Sequence, residues 1–322
     1  MEPVPAYPRT QRELDATFAT EAACRDYLAE IRWSDGFACT TCGGAKAWVT
    51  ARGLRMCAAC GRQASVTAGT IFQDTKLPLT VWFRAIWWVT SQKYGASALG
   101  VQRVLGLGSY RTAWSWLHKL RRAMVRPGRD ALRGTVEVDE TLVGGEEPGS
   151  GGRHIGKKAL VIIAVELDER RLGRVRLRRV ADSSRPPLVG FVQEAVTPGS
   201  TVVTDGWPSY ESLPDLGYRH ERRVIGRAAK NASGMLPHVH LVASLLKRWL
   251  IGTLQGAVAR EHLDYYLDEY TFRFNRRTSR SRGLLFYRLL ENAVHVAPAP
   301  YASLVKRTGR GRPPRHELES SA

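Results

Sequence analysis

Thr135-Val-Glu-Val-Asp139 alternates apolar and polar residues, while Ala159-Leu-Val-Ile-Ile-Ala-Val165 is apolar throughout. The first has the period of two expected of a strand with one apolar face; the second fits a strand buried on both faces. Residues 174–180 alternate again, Val175 and Leu177 against Arg174, Arg176 and Arg178. Residues 168–173 are expected to turn between these two strands, with Gly173 closing the turn. Residues 187–196 follow as a short helix carrying Leu188, Val189, Phe191, Val192 and Ala195 inward. Residues 200–204 read as a further strand, ending at Asp205-Gly-Trp-Pro208. Three strands able to pair as hairpins, a crossover helix, another strand and later a long helix describe a mixed α/β sheet.

Outside this core the composition narrows the function. The chain has 322 residues, which allows two or three domains. Hydrophobic residues make up 43% and charged residues 24%, so most of the chain can bury a core. Its 48 Lys and Arg against 30 Asp and Glu leave a net charge of +18. Such an excess repels itself and points to a polyanionic partner. The longest purely apolar run is the one quoted above, far below the ~20 residues of a membrane span. Residues 1–20 lack the apolar region of a secretory signal. A membrane or secreted protein is therefore not expected, and the expected location is the cytoplasm.

Four of the five cysteines fall in two pairs, Cys39-Thr-Thr-Cys42 and Cys57-Ala-Ala-Cys60. Two residues between thiols let both sulfurs of a tight turn face one ion, and the interval between pairs suits a short hairpin. Four thiolates make a closed structural zinc site, which holds a fold and does no chemistry. Redox pairs or disulfides are the alternative, disfavoured by the doubled spacing and the cytosolic character. Cys24, on the apolar side of a helix expected over 21–31, reads as a buried inert thiol. Lys46, Arg52, Arg55 and Arg62 around the ribbon suit phosphate contacts or a solvated basic face.

Helices follow the ribbon. Residues 79–93 place Trp82, Phe83, Ile86, Trp87 and Val89 at helical intervals. Residues 96–105 form a second amphipathic segment, broken at Gly106-Leu-Gly108. Ser109 can cap a third helix from Tyr110 to about Met124. Helix, glycine-containing turn, helix is the helix-turn-helix pattern. Its second helix would turn Ala113, Trp116, Leu117 and Leu120 inward. Arg111, Thr112, Ser115, Lys119 and Arg122 would face DNA, or form the basic outer face of an ordinary three-helix core. The expected organisation is an N-terminal helical segment (1–36), a zinc ribbon (37–67), a helix-turn-helix domain (76–126), a catalytic domain (134–292) and a basic flexible tail (300–322).

The strand order is that of the ribonuclease H-like fold, so the expected class is an α/β mixed sheet flanked by helices. In that sheet the first and fourth strands are neighbours, which lets Asp139 and Asp205 meet. Converging carboxylates are hard donors for Mg²⁺ or Mn²⁺, and a metal pair can serve both oxygens of a phosphoryl transfer.

Several strings carry a family resemblance: the two cysteine pairs, Val136-Glu-Val-Asp-Glu-Thr141 with Gly144-Gly145, and Thr204-Asp-Gly-Trp-Pro-Ser-Tyr210. With them go His238-Val-His240, Leu245-Leu-Lys-Arg248 and Tyr266-Leu-Asp-Glu-Tyr-Thr-Phe-Arg-Phe-Asn-Arg-Arg277. The chain resembles the zinc-ribbon-bearing insertion-sequence transposases of the ISXO-like group, within the DDE superfamily, from Cys39 to about Leu290. The resemblance implies binding of terminal inverted repeats, metal-dependent DNA cleavage and strand transfer, and a homo-oligomer on paired ends. Its acidic pair corresponds to Asp139 and Asp205. At the third position, where many relatives carry Glu or Asn, this chain has His240. Lys247 lies seven residues on, two turns along the same helix face, in a helix that Pro237 would start.

A neutral imidazole there can ligate a metal, accept a proton from water or orient the scissile phosphate; as a ligand it suits Mn²⁺ better than Mg²⁺. Lys247 and Arg248 are expected on DNA phosphate. Glu137, on the strand face of Asp139, is expected either in the site or paired with an Arg; Glu140 lies on the other face. Glu261 and Glu269 are further candidate carboxylates, and Arg276 and Arg277 belong to a basic patch expected to track the DNA backbone. Gly-Arg-Gly-Arg-Pro313, with Arg310 and Arg312, reads as a minor-groove arm or a solubilising tail. The expected protein is a cytoplasmic, nucleoid-associated transposase with structural zinc and catalytic Mg or Mn. A decayed or domesticated transposase acting as a DNA-binding regulator, and a nuclease that cuts without joining, are the rival readings.

Overall fold

The computed structural model describes residues 5–126, 128–144, 158–168, 171–224, 235–255 and 258–305. Its helices are α1 (Gln11–Thr17), α2 (Glu21–Arg32), α3 (Leu79–Ser91), α4 (Ala98–Leu105), α5 (Tyr110–Ala123), α6 (Arg185–Ala195), α7 (Pro237–Leu254), α8 (Leu263–Phe274), α9 (Arg282–Ala293) and α10 (Tyr301–Val305). Its strands are β1 (Ala47–Val49), β2 (Arg55–Cys57), β3 (Gln63–Ala64), β4 (Thr135–Val143), β5 (Ala159–Asp168), β6 (Arg171–Val180), β7 (Thr201–Thr204) and β8 (Arg219–Arg222). Among the described residues no helix is long and apolar enough to cross a membrane. The chain divides into two compact units, Met1–Arg126 with Thr278–Val305, and Pro127–Arg277.

In the first unit, threonines start the early helices: Thr10 accepts from Glu13 N and Thr20 from Ala23 N. Helix α3 begins after Pro78, which offers no capping side chain. Glu21 of α2 supplies the acceptor instead, taking the Leu79 N–H at 2.8 Å and that of Thr80 at 3.4 Å. Helices α4 and α5 are joined by Gly106 and by Ser109, which caps α5. Strands β1 to β3 form a small antiparallel sheet carrying the cysteine turns.

Helix α9 packs against α3, α5 and α2 in this first unit, so the second compact unit closes at Arg277 and not at residue 292. Its apolar stripe, Leu285, Phe286, Leu289 and Leu290, is buried there. Periodicity shows that a helix buries one face, but not which core the face enters. Phe286 is fully buried, with ring centroids 5.7 Å from Phe83, 5.8 Å from Trp87 and 5.9 Å from Phe18. Phe286→Ala is expected to cost about 3–5 kcal/mol, read as a lowered urea midpoint of the full-length protein.

The second unit holds a five-stranded sheet in the order β6-β5-β4-β7-β8. Strands β4, β5 and β6 are successive antiparallel neighbours, whereas β7 and β8 join in parallel. This is the ribonuclease H-like order. Side chains of β5 alternate between two cores: Val161, Ile163 and Val165 meet α7 and α8, while Leu160, Ile162 and Ala164 meet α6. Burial on both faces explains why this strand reads as an unbroken apolar run. The β5–β6 hairpin is tighter than the expected six-residue turn, with Asp168 paired to Arg171 and Leu167 to Leu172. Leu172 can pair with Leu167 in the ladder, so the strand begins before the turn-forming Gly173.

Candidate active site and metal centre

The register of β4 and β7 sets the site. Thr135 pairs with Thr201, Val136 with Val202 and Glu137 with Val203. The pairing stops there: β7 ends at Thr204, and Asp205 follows it, one step beyond the strand, at the same end of the sheet as Asp139. The period of two puts Glu137 and Asp139 on one face of β4, and Val203 of β7 packs with the α7 residues Val239, Val242 and Leu246. Asp139 Oδ1 accepts from Glu140 N at 2.8 Å, and its Oδ2 lies 3.7 Å from His240 Nε2. The Asp139 side chain is 16% exposed and that of His240 39%, so solvent reaches this edge of the sheet.

Asp205 sits in a turn held from several sides. Its Oδ1 accepts from Trp207 N at 3.0 Å. Gly206 has φ +85°, a left-handed backbone that favours glycine in this turn. Ser183 O receives Trp207 Nε1 and Ser209 Oγ, each at 2.9 Å. Tyr210, fully buried, donates its hydroxyl to Glu140, joining the turn to the residue after Asp139. Burial, then the charges of Glu140, Asp139 and Asp205, push its pKa well above the usual tyrosine value. The hydroxyl thus stays a donor. Sequence periodicity put Glu140 across the sheet from Asp139, but could not show that Tyr210 ties it to the Asp205 turn.

Helix α7 presents His240 and, two turns on, Lys247. Burial, with Lys158 beside it, lowers the Lys247 pKa from the ordinary lysine value. Arg248 is exposed on the same helix. Glu137 is fully buried and accepts from the backbone of His238 and Val239, each at 2.9 Å. Its expected Arg partner is present as well: Arg223 lies at 3.9 Å. The sequence signal for this helix contact was the Pro237 start without a capping side chain. The carboxylates of Asp139 and Asp205 are hard oxygen donors that suit Mg²⁺ or Mn²⁺, and the His240 imidazole suits Mn²⁺ better than Mg²⁺; among the described residues the ligand atoms of these three do not all lie within 4.8 Å of one another.

The four cysteines form a tighter set. Among the described residues they are the group whose ligand atoms all lie within 4.8 Å of one another. Cys39 Sγ is 3.7 Å from Cys60 Sγ, and Cys42 Sγ is 3.6 Å from Cys57 Sγ. Disulfide sulfurs would stand at ~2 Å; zinc–sulfur bonds of ~2.3 Å in a tetrahedron give edges of ~3.8 Å. Gly43 and Gly61, each at φ 70°, follow the two knuckles as expected. The Thr41 and Cys42 N–H groups bring Cys39 down to about 6, and the Cys60 N–H lowers Cys57. Cys42 is pushed up to about 12: the Gly44 N–H lowers it, but its bonds to the other three sulfurs outweigh that. Without a cation the cluster resists full ionisation; a divalent ion removes that resistance.

The other sequence-derived candidates are spread over both units. Arg111 is exposed and lies over the Tyr301 ring at 4.9 Å, with Thr112 beside it. Ser115 Oγ donates back to Arg111 O at 2.8 Å. Lys119 lies over the Trp82 ring at 6.0 Å, with its pKa lowered by burial, and Arg122 is half-buried. Arg276 donates to Phe272 O at 3.3 Å. Arg277 donates to Gly173 O at 3.1 Å and to Leu172 O, so part of its guanidinium is spent on the β5–β6 hairpin. Glu269 is buried and bound to Arg273 at 2.8 Å. Gly145 and the arm with Arg310 and Arg312 lie outside the described residues.

Comparison with known proteins finds two family matches. Residues 131–275 match the ISXO2-like transposase domain, and residues 19–63 match the transposase zinc-ribbon domain. A protein described as an uncharacterized protein in transposable element ISH50, from Halobacterium salinarum, is 26% identical over 279 residues. That alignment covers 80% of this chain and 92% of the relative. A chain of the simian T-cell lymphotropic virus intasome, solved in complex with PP2A regulatory subunit B56 gamma, aligns with 57% of this chain and 70% of its own. Its identity is 14% and its TM-score 0.30.

Proposed function

We propose, for a chain that joins a transposase zinc ribbon to an ISXO2-like transposase domain, a DNA transposase that cuts the ends of its element and joins them to target DNA. The observation that supports this reading is the parallel pairing of β4 with β7, the strands that lead to Asp139 and Asp205, with His240 of α7 3.7 Å from Asp139. The carboxylates of Asp139 and Asp205 would hold Mg²⁺ or Mn²⁺. Such ions, when bound, activate the attacking oxygen and stabilise the leaving one at a phosphodiester.

The protein's own part is positioning. The Trp207 and Tyr210 contacts hold the Asp205 turn, and His240 faces the acidic edge from the start of α7. There it can take a proton from the attacking water or orient the phosphate. Lys247 would place its ammonium against a DNA phosphate further along the groove. The zinc ribbon and the exposed start of α5 are assigned to the terminal repeats. The net charge of +18 supplies the salt-sensitive affinity for double-stranded DNA. A homo-oligomer on paired ends, acting in the cytoplasm on nucleoid DNA, completes the proposal.

Incubation of the full-length protein with end-bearing DNA and Mg²⁺ or Mn²⁺ tests it. Nicked and joined products support the proposal. End binding without cleavage supports a DNA-binding regulator instead, and cleavage without joining supports a nuclease. In the same assay His240→Ala is expected to slow cleavage by about 100-fold or more. His240→Glu should retain part of the rate with a changed Mg²⁺/Mn²⁺ preference. Full activity of the alanine variant would return His240 to a structural role.

A further inference from the structure

Helix α7 starts at Pro237 behind Leu236, and no capping side chain precedes it in sequence. Its first-turn donors are nevertheless met. The N–H groups of His238 and Val239 both donate to Glu137 Oε2 at 2.9 Å. The His238 ring adds a third contact, Nδ1 to Glu137 Oε1 at 2.9 Å. Arg223 Nη1 stands 3.9 Å from the same Oε1 and donates to Met235 O at 3.0 Å. One buried carboxylate on β4 thus ties the start of α7 and, through Arg223, the chain just after β8 and just before α7.

A carboxylate has about four lone-pair directions. Two helix N–H groups and an imidazole fill three of them here, and the arginine faces the remainder. Most of the Glu137 carboxylate is thus engaged by α7, although the residue shares a strand face with Asp139. The geometry of the tie is direct. Two residues along β4 from Glu137 is Asp139, and two residues along α7 from His238 is His240. The contact between Asp139 and His240, 3.7 Å, lies one step beyond the tie on both elements.

We propose that Glu137 is the positioning residue of the site: by accepting the first-turn N–H groups of α7 and the His238 ring, it sets His240 against Asp139. The proposal rests on the transposase reading of that site for its catalytic consequence, but not for its geometry. The His238 ring, with Nδ1 2.9 Å from Glu137 Oε1, is held in place by this contact. This fixed ring braces the helix start against rotation, which would swing His240 along the groove.

The test uses the full chain labelled with ¹³C,¹⁵N-histidine, the His240 signal being assigned by its loss in His240→Gln. In the wild type, Asp139→Asn is expected to shift that signal. In Glu137→Ala the same substitution should no longer shift it. Glu137→Gln, whose amide oxygen can still accept from both helix N–H groups, should restore the response. In parallel, the cleavage rate at saturating end DNA should fall about 100-fold in Glu137→Ala, as for a catalytic group misplaced by about 1 Å. DNA affinity should be unchanged, and Glu137→Gln should recover most of the rate.

An alanine variant that keeps both the His240 response and the full cleavage rate overturns the proposal. So does a glutamine variant no better than alanine. If the alanine variant does not fold, Glu137→Asp, one methylene shorter, must weaken the coupling; unchanged coupling there overturns the proposal too. A wild type that shows the coupling yet never cleaves end DNA refutes the transposase reading and leaves the positioning role standing.

Discussion

Asp139→Asn and Asp205→Asn are each expected to lower strand cleavage by about 1,000-fold or more, with binding of end DNA unchanged. The expectation separates charge from shape. Asparagine keeps an oxygen that can accept the Glu140 N–H at position 139 and the Trp207 N–H at position 205, so the local hydrogen bonds survive. What is lost is the negative charge on two neighbouring strands, which a divalent ion needs for tight binding. A gel-shift assay beside a cleavage assay on the same DNA separates the two effects. Cleavage retained by either variant would remove that residue from the site.

The second large effect concerns zinc. Four sulfurs at tetrahedral separations, with Cys57 fully buried beside Phe37 and Cys39, leave this small sheet little core of its own. Structural zinc in such a setting contributes about 10–16 kcal/mol of apparent binding free energy, and that free energy is folding free energy. Chelation, or Cys57→Ser, is expected to unfold the ribbon and weaken end binding. Zinc content by mass spectrometry and binding by fluorescence anisotropy check this. Less than one tightly bound zinc per chain in the purified protein contradicts it.

What could be read from the sequence follows from what periodicity and spacing encode. The apolar run in β5 and the alternation in β4 fixed the faces of two strands, because side-chain direction in a strand depends only on parity. The same parity separated Glu137 from Glu140, and the strand order made neighbours of the strands that lead to Asp139 and Asp205. The cysteine spacing encoded the metal cluster directly. Other features depend on partners distant in sequence, and these were out of reach. Helix α9 looked like one more amphipathic helix, and only the fold shows that Phe286 enters the core with Phe83 and Trp87.

Glu137 could be placed on the right face but not assigned, since its partners begin about a hundred residues later. Lys119 was expected on the outer face of α5, yet the bulk of Trp82, stacked on Trp116 at 3.7 Å, gives its ammonium an aromatic surface to fold onto. Arg277 read as DNA-facing from its charge, while the open carbonyls of the β5–β6 hairpin draw part of its guanidinium inward.

Crystals of the full-length protein soaked in Mn²⁺ and measured at the manganese edge give the most direct test of the acidic pair. An anomalous peak bonded to carboxylate oxygens of both Asp139 and Asp205, with His240 beside it and lost in Asp139→Asn, is the expected result. Well-ordered side chains at both aspartates with no manganese between them, or a peak held by one while the other turns away, would contradict the account.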